Sequence, residues 1–268
     1  MRISFVGGGV MAESILRGIL NKGIAAPKDV CVGEPVEARR RYLAQEHGIQ
    51  ATSDNKEAIR HGDLIVLSVK PQNLPDVLAE LGGLLRKEQA ALSIIAGARM
   101  ETLAKGLRHA AVVRVMPNTP AQIGEGMSLW LASAEVPAPF REATRSILRT
   151  LGQEIEVHDE KYLDMATALS ASGPAYVFLF IESLIDAGVY MGMSRDMART
   201  LAVQTVLGST RLVQETWKHP AELRDMVTSP GGTTAEALRA FEVGGFGATV
   251  LRAVVAAYEK SKRLGEQK

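Results

Sequence analysis

Short apolar runs alternate with stretches of helical spacing through the first 158 residues, and the alternation predicts strands joined by helices. Arg2-Ile3-Ser4-Phe5-Val6 is the first run, and Ile15, Leu16, Ile19 and Leu20 then recur along one helix face. Further strands are expected at 30–33, 64–67, 91–95, 112–116, 127–131 and 154–157, with helices at 56–61 and 137–151 among the connections. Runs this short and uniformly apolar suit a parallel sheet covered on both faces, a doubly wound α/β architecture. Right-handed crossovers then bring the strand C-termini to one edge, where ligands bind.

After His158 the pattern predicts helices only. Ser172 is expected to cap one with Pro174 in its first turn, Ser194 to cap a second that runs past Val213, and a last helix is expected over about 246–264. Residues 176–181 and 197–212 are apolar on more than one face, too much for a half-solvated helix, so a second copy of the chain is expected to cover them.

The first strand runs straight into Gly7-Gly8-Gly9-Val10-Met11-Ala12, a G-x-G-x-x-A sequence that opens a helix. Gly7 permits the tight turn, Gly9 lets the backbone approach a pyrophosphate, and Ala12 lets the helix lie close to the strand, as a dinucleotide site requires. Glu34 ends the second strand, where an acid accepts the ribose hydroxyls of NAD; Arg39, Arg40 and Arg41 follow, and a guanidinium there accommodates the 2′-phosphate of NADP. The two signals conflict and leave the cofactor as NADPH or NADH. Ser68-Val69-Lys70-Pro71, Ala96-Gly97 and Pro117-Asn118-Thr119-Pro120 follow three strands and are expected on one rim, beside ribose and nicotinamide. The expected division is a dinucleotide-binding α/β domain at 1–158 and a helical domain at 159–268.

Within the helical half, Val227-Thr228-Ser229-Pro230-Gly231-Gly232-Thr233-Thr234 gathers turn and hydroxyl residues that core packing does not call for. Pro230 and the glycine pair turn the chain sharply, and Thr233-Thr234-Ala235-Glu236 fits a capped helix start, so converging N–H groups would favour a small carboxylate or phosphate.

Composition narrows the classes. The 268 residues are 46% hydrophobic with a net charge of +1, which leaves no footprint for nucleic acid. Cys31 is the single cysteine, so no disulfide framework and no cysteine metal site are expected, in keeping with a cytoplasmic protein. Residues 176–193 carry Glu182 and Asp186 and are interrupted by Gly188, so they are not read as a membrane span.

The ordered set Gly7 to Met11, Asn55, Val69-Lys70-Pro71, Met116 to Pro120, Ser172-Gly173-Pro174-Ala175-Tyr176 and His219-Pro220 leading into Thr228 to Thr234 resembles the pyrroline-5-carboxylate reductase family over nearly the whole chain. The resemblance implies reduction of L-1-pyrroline-5-carboxylate to L-proline by NAD(P)H, a Rossmann domain, a helical dimerisation domain and an active site between them. It further implies that Gly7, Gly8, Gly9, Val10 and Met11 cradle the pyrophosphate and that Asn55 approaches the adenosine. Ser68 to Pro71, Ala96, Gly97 and Asn118 would flank ribose and nicotinamide. Ser229, Gly232 and Thr233 would hold the substrate carboxylate, Thr234 would hydrogen-bond the ring nitrogen, and Glu160 would reach the ring from the domain junction. No metal is implied. The departures are Val10, where the family often has Asn, and Ala171, where Gly is frequent; a Glu236 folded back onto Thr233 would compete with a carboxylate. A lysine-dependent β-hydroxyacid dehydrogenase shares the layout, but Lys161, Lys218, Lys260 and Lys262 lie outside any small-residue helical motif.

Overall fold

The computed structural model describes residues 1–266. Its first part runs β1 (Ile3–Val6), α1 (Val10–Asn21), β2 (Val30–Gly33), α2 (Glu37–His47), β3 (Gln50–Thr52), α3 (Asn55–His61), β4 (Leu64–Leu67), α4 (Leu74–Leu81), β5 (Ala90–Ser93), α5 (Met100–Leu107), β6 (Val112–Met116), β7 (Gly126–Ala132), α6 (Ala138–Arg149) and β8 (Gly152–Glu156). The strands form one sheet in the order β3-β2-β1-β4-β5-β6-β7-β8. Every pairing is parallel except β6 with β7, because the connection 117–125 is too short for the crossover that a parallel neighbour requires. β3 lies outside the sequence expectation: Gln50-Ala51-Thr52 is a half-exposed edge strand with no apolar run to betray it.

The uninterrupted apolar strands are explained by two cores, one on each face of the sheet. Along β4, Leu64 and Val66 join a core with Phe5, Ile15, Leu16, Ile19 and Trp130, whereas Ile65 and Leu67 join a second with Leu74, Leu78, Leu103 and Leu107. Full burial of each such side chain contributes roughly 1.5–3 kcal/mol. Cys31 lies inside this layer pair, and burial, aided by Glu57, pushes its thiol pKa up to about 11.

After β8 every element is helical: α7 (Lys161–Ala166), a wider π turn (Thr167–Ala171), α8 (Gly173–Tyr190), α9 (Arg195–Thr216), α10 (Pro220–Met226), α11 (Thr233–Val243) and α12 (Phe246–Glu266). Ser194 caps α9 as expected, its hydroxyl accepting the Met197 N–H. Ser172 does not cap α8. Its backbone is helical (φ −84°, ψ −21°) and its N–H bonds the Thr167 carbonyl, so the π turn carries the chain from α7 into α8 without the extended residue that a cap needs.

By compactness the chain divides into Met1–Ser172 together with the segment from Ala257 onward, and Gly173–Ala256. The first unit holds the sheet. In the second, Gly188 brings α8 close to α9, where a Cβ would stand 2.7 Å from that of Ala198. Phe246 packs against Phe180 and Phe241 at ring separations of 6.1 and 5.3 Å. Much apolar surface stays uncovered: Phe178 is 62% and Leu179 64% exposed, and Leu201, Val203, Leu207 and Leu212 of α9 are exposed as well. By length and composition alone the stretch Lys161–Tyr190 would also suffice to cross a membrane, although it carries Glu182 and Asp186.

Candidate active site

The glycine loop between β1 and α1 is built on position-specific constraints. Gly7 has φ +99°, outside the range of L side chains, and a Cβ there would stand 3.0 Å from the Ser68 backbone. A Cβ at Gly8 would strike Leu43 at 2.7 Å, whereas one at Gly9 would meet nothing within 4 Å. The loop is therefore packed from beneath and open above, and Gly9 starts α1, whose first N–H groups have no carbonyl within the helix. Val10 is exposed beside it, Met11 packs partly against the core and Ala12 is buried. This cradle fits a pyrophosphate at a helix N-terminus.

Glu34 is 8% exposed and turned inward: Oε2 accepts the Gly8 N–H and Oε1 the Val36 N–H, both at 2.9 Å. Each oxygen keeps a further lone pair for another donor. Of the arginines, Arg39 donates Nε to the Gly8 carbonyl at 2.7 Å and pairs with Glu13 at 2.6 Å, and Arg40 donates to the carbonyls of Glu34 and Pro35, both at 2.7 Å. Arg41 turns back to Glu37 on its own helix. Burial raises the Glu13 carboxyl, but hydrogen bonds from Arg39, His47 and Tyr42 outweigh it and hold the group below the usual carboxylate range.

β4, β5 and β6 are parallel neighbours, so the loops that follow them share one edge of the sheet. Ser68 donates its hydroxyl to the Gly7 carbonyl at 2.8 Å, which ties the β4 loop to the cradle. Val69 is half-buried, Lys70 is exposed and Pro71 opens a short 3₁₀ turn. Asn55 begins α3 with its amide on Glu80 at 2.9 Å, close enough to Gly33 that a side chain there would collide with it. Ala96 is exposed and Gly97, with φ +71°, is buried. Asn118 uses both ends of its amide internally, accepting the Met127 N–H at 2.9 Å and donating to Ser170 at 3.3 Å.

In the helical unit, the Ser229 carbonyl accepts the Gly232 N–H at 3.0 Å across Pro230 and Gly231, which has φ +67°, the pattern of a type II turn. A Cβ at Gly232 would stand 2.4 Å from the Ser229 hydroxyl, so a side chain there would have to turn that hydroxyl away. The expected capping box is not formed. Gly232, in extended conformation, is the N-cap and its carbonyl accepts the Glu236 N–H, so Thr233 is already helical; Glu236 lies 3.7 Å from Arg239 instead of folding back. The first-turn N–H groups of Thr233, Thr234 and Ala235 thus have no intrahelical acceptor. Ser229 and Thr233 are exposed, and Thr234 is half-buried.

Glu160 is engaged within the sheet unit. Its Oε1 accepts the Met100 N–H at 2.6 Å and pairs with Arg114 Nη1 at 2.7 Å. Arg114 is 1% exposed in β6 and also lies 4.0 Å from Asp164, which in turn stands 4.0 Å from Arg99 and accepts the Ser261 hydroxyl at 2.9 Å. Sequence reading passes over Arg99, Arg114, Asp164 and Ser261. One signal was available: an arginine inside Val-Val-Arg-Val-Met, a strand buried on both faces, requires a carboxylate partner.

The first six strands follow the 3-2-1-4-5-6 order of dinucleotide-binding sheets, with the glycine cradle at the point where strand order reverses, and the chain continues into a helical unit with much exposed apolar surface. This defines an NAD(P)-dependent oxidoreductase that self-associates through helices. Residues 160–264 match the pyrroline-5-carboxylate reductase dimerisation family, and residues 2–97 match the NADP oxidoreductase coenzyme F420-dependent family. A pyrroline-5-carboxylate reductase of Synechocystis is 42% identical over 267 residues, covering 100% of this chain and 99% of the relative. Among solved structures, the Coxiella burnetii pyrroline-5-carboxylate reductase superposes with TM-score 0.89 at 34% identity, covering 98% of both chains. The Plasmodium falciparum pyrroline carboxylate reductase with NADP bound superposes with TM-score 0.89 at 36% identity, covering 99% of this chain and 98% of that one. The chain belongs to the pyrroline-5-carboxylate reductase family.

Proposed function

We propose that this chain reduces L-1-pyrroline-5-carboxylate to L-proline, with residues 1–158 binding NAD(P)H and residues 159–268 binding substrate and joining two copies in the cytoplasm. The carrying observation is the Ser229 to Thr234 segment: a turn held by its own hydrogen bond delivers uncapped N–H groups and two hydroxyls to one helix start, in a chain similar to curated reductases from end to end. Ser229, Gly232 and Thr233 hold the substrate carboxylate, where the positive end of α11 favours an anion. The nicotinamide, when bound, supplies the hydride. Thr234 donates its hydroxyl to the ring nitrogen, which draws electron density from the C=N carbon and makes it the better acceptor. Because the carboxylate is bonded to the ring carbon next to that nitrogen, fixing the anion also fixes the ring, and catalysis is mainly positioning. Glu160, which accepts the Met100 N–H at the end of the β5 loop and pairs with Arg114 of β6, acts on the ring through that loop.

For the cofactor, Gly7 to Met11 receive the pyrophosphate, Glu34 and Asn55 face the adenosine, and Ser68 to Pro71, Ala96, Gly97 and Asn118 flank ribose and nicotinamide. α8 and α9 form the interface between copies, which covers Phe178, Leu179 and Leu201.

Purified protein mixed with 1-pyrroline-5-carboxylate and NADPH or NADH is expected to consume the reduced cofactor and yield proline. Absence of turnover in folded, nucleotide-binding protein overturns this reading. Glu34→Gln is expected to shift the ratio of kcat/KM for NADPH over NADH about tenfold toward NADPH, because it removes a negative charge beside the site of a 2′-phosphate. An unchanged ratio would separate Glu34 from the ribose.

A further inference from the structure

We propose that the last turns of α12 hold the loop after β5 in the shape that receives the nicotinamide, with Ser261 and Asp164 as positioning residues for hydride transfer. The inference rests on the reading of Ala96 and Gly97 as the nicotinamide flank.

The loop itself is weakly determined. Inside it, Ala98 N–H reaches the Ile95 carbonyl at 3.3 Å and Ile95 N–H reaches the Ser93 hydroxyl at 3.3 Å, both long bonds, and Gly97 takes a left-handed φ that other residues rarely adopt. What surrounds it is tighter. A Cβ at Gly97 would stand 3.5 Å from Leu264 Cβ, so the helix end lies directly against the loop. A Cβ at Gly265 would stand 2.8 Å from Arg99 Nε, so a side chain at 265 must move that guanidinium aside.

Asp164 joins the two sides. One oxygen accepts the Ser261 hydroxyl at 2.9 Å, across 97 positions of sequence, and the other lies 4.0 Å from Arg99. Both Asp164 and Ser261 are buried, at 5% and 4% exposure, where a hydroxyl bonded to a carboxylate is short of competing water and directional. One turn earlier, Glu160 accepts the N–H of Met100 at the start of α5. The exit of the loop is thus pinned at Arg99 and Met100, its middle is covered at Gly97, and exposed Ala96 is left at the tip. Hydride transfer demands near-attack placement, so a loop that wanders by an ångström costs rate more than it costs fold.

The test compares ligands with and without the nicotinamide on full-length Ser261→Ala, Ser261→Thr and wild type. For Ser261→Ala, kcat is expected to fall about tenfold and the Kd of NADPH to rise about fivefold, while 2′-phospho-ADP-ribose, which lacks the nicotinamide, binds within about twofold of wild type. Ser261→Thr keeps the hydroxyl and is expected to restore the wild-type pattern. Gly265→Ala, which displaces Arg99 without touching Asp164, is expected to reproduce the Ser261→Ala pattern and serves if that variant does not fold. Parallel weakening of both ligands, or wild-type kcat in Ser261→Ala and Gly265→Ala, overturns the proposal. If wild type binds NADPH but turns over no pyrroline-5-carboxylate, the activity reading fails, and the fragment comparison still decides whether the helix end holds the nicotinamide flank.

Discussion

Thr234→Ala is expected to lower kcat by two to three orders of magnitude, about 3–4 kcal/mol of lost transition-state stabilisation, with NADPH affinity unchanged. The size follows from the chemistry: a neutral imine is a poor hydride acceptor, and the hydroxyl is the group assigned to polarise it. The separation from cofactor binding follows from position, because Thr234 lies in the first turn of α11 while the glycine cradle lies between β1 and α1. Folding is not expected to confound the result. Thr234 is half-buried, has no capping role, and is replaced by the best helix former, so stability should stay within about 0.5 kcal/mol. Thr234→Ser keeps the hydroxyl and should retain most of the activity. Steady-state kinetics with a parallel NADPH titration checks this, and wild-type turnover in the alanine variant removes Thr234 from the chemistry.

Arg114→Met is expected to destabilise the sheet unit by roughly 3–5 kcal/mol, because it leaves Glu160 and Asp164 without the guanidinium that compensates them. Methionine matches the length of the apolar stem, so the loss reports charge rather than a cavity. The partners make the prediction specific: the ion pair to Glu160 is 2.7 Å, that to Asp164 is 4.0 Å, and Arg114 is almost wholly buried. Combining Arg114→Met with Glu160→Gln and Asp164→Asn should recover a large part of the stability, since the same neighbours then carry no uncompensated charge. Urea unfolding at fixed protein concentration measures both steps, the concentration being held because subunit association adds to stability. A loss below about 1 kcal/mol would show that the carboxylates find other partners.

The elements that sequence pattern located well are those whose residues carry the information locally. β1, β2, β4 and β6 are short apolar runs, α1 has a clear apolar face, and Ser194 announces the start of α9 through its own side chain. Where pattern failed, the deciding partner was remote or the residue was ambiguous. Gln50-Ala51-Thr52 becomes a strand because β2 offers an edge, not because of its composition. Ser172 looks like a cap, but the π turn ahead of it keeps the backbone helical. Thr233-x-x-Glu236 has the letters of a capping box, yet Gly232 takes the cap one residue earlier.

The α/β class, the change to helices after His158, the glycine cradle and the Ser229 to Thr234 turn are all legible in the chain alone. Each depends on backbone preferences and on periods of two or 3.6 residues, which act between near neighbours. Packing across the fold sets the reversal between β6 and β7, the inward turn of Glu34, the distribution of Arg39 and Arg40 over backbone carbonyls, and the cluster that joins Arg99, Arg114, Glu160, Asp164 and Ser261. Those outcomes depend on which charges the fold removes from water and what it sets beside them. A carboxylate or guanidinium in the sequence carries no mark of whether it will face solvent or be buried against a partner a hundred positions away.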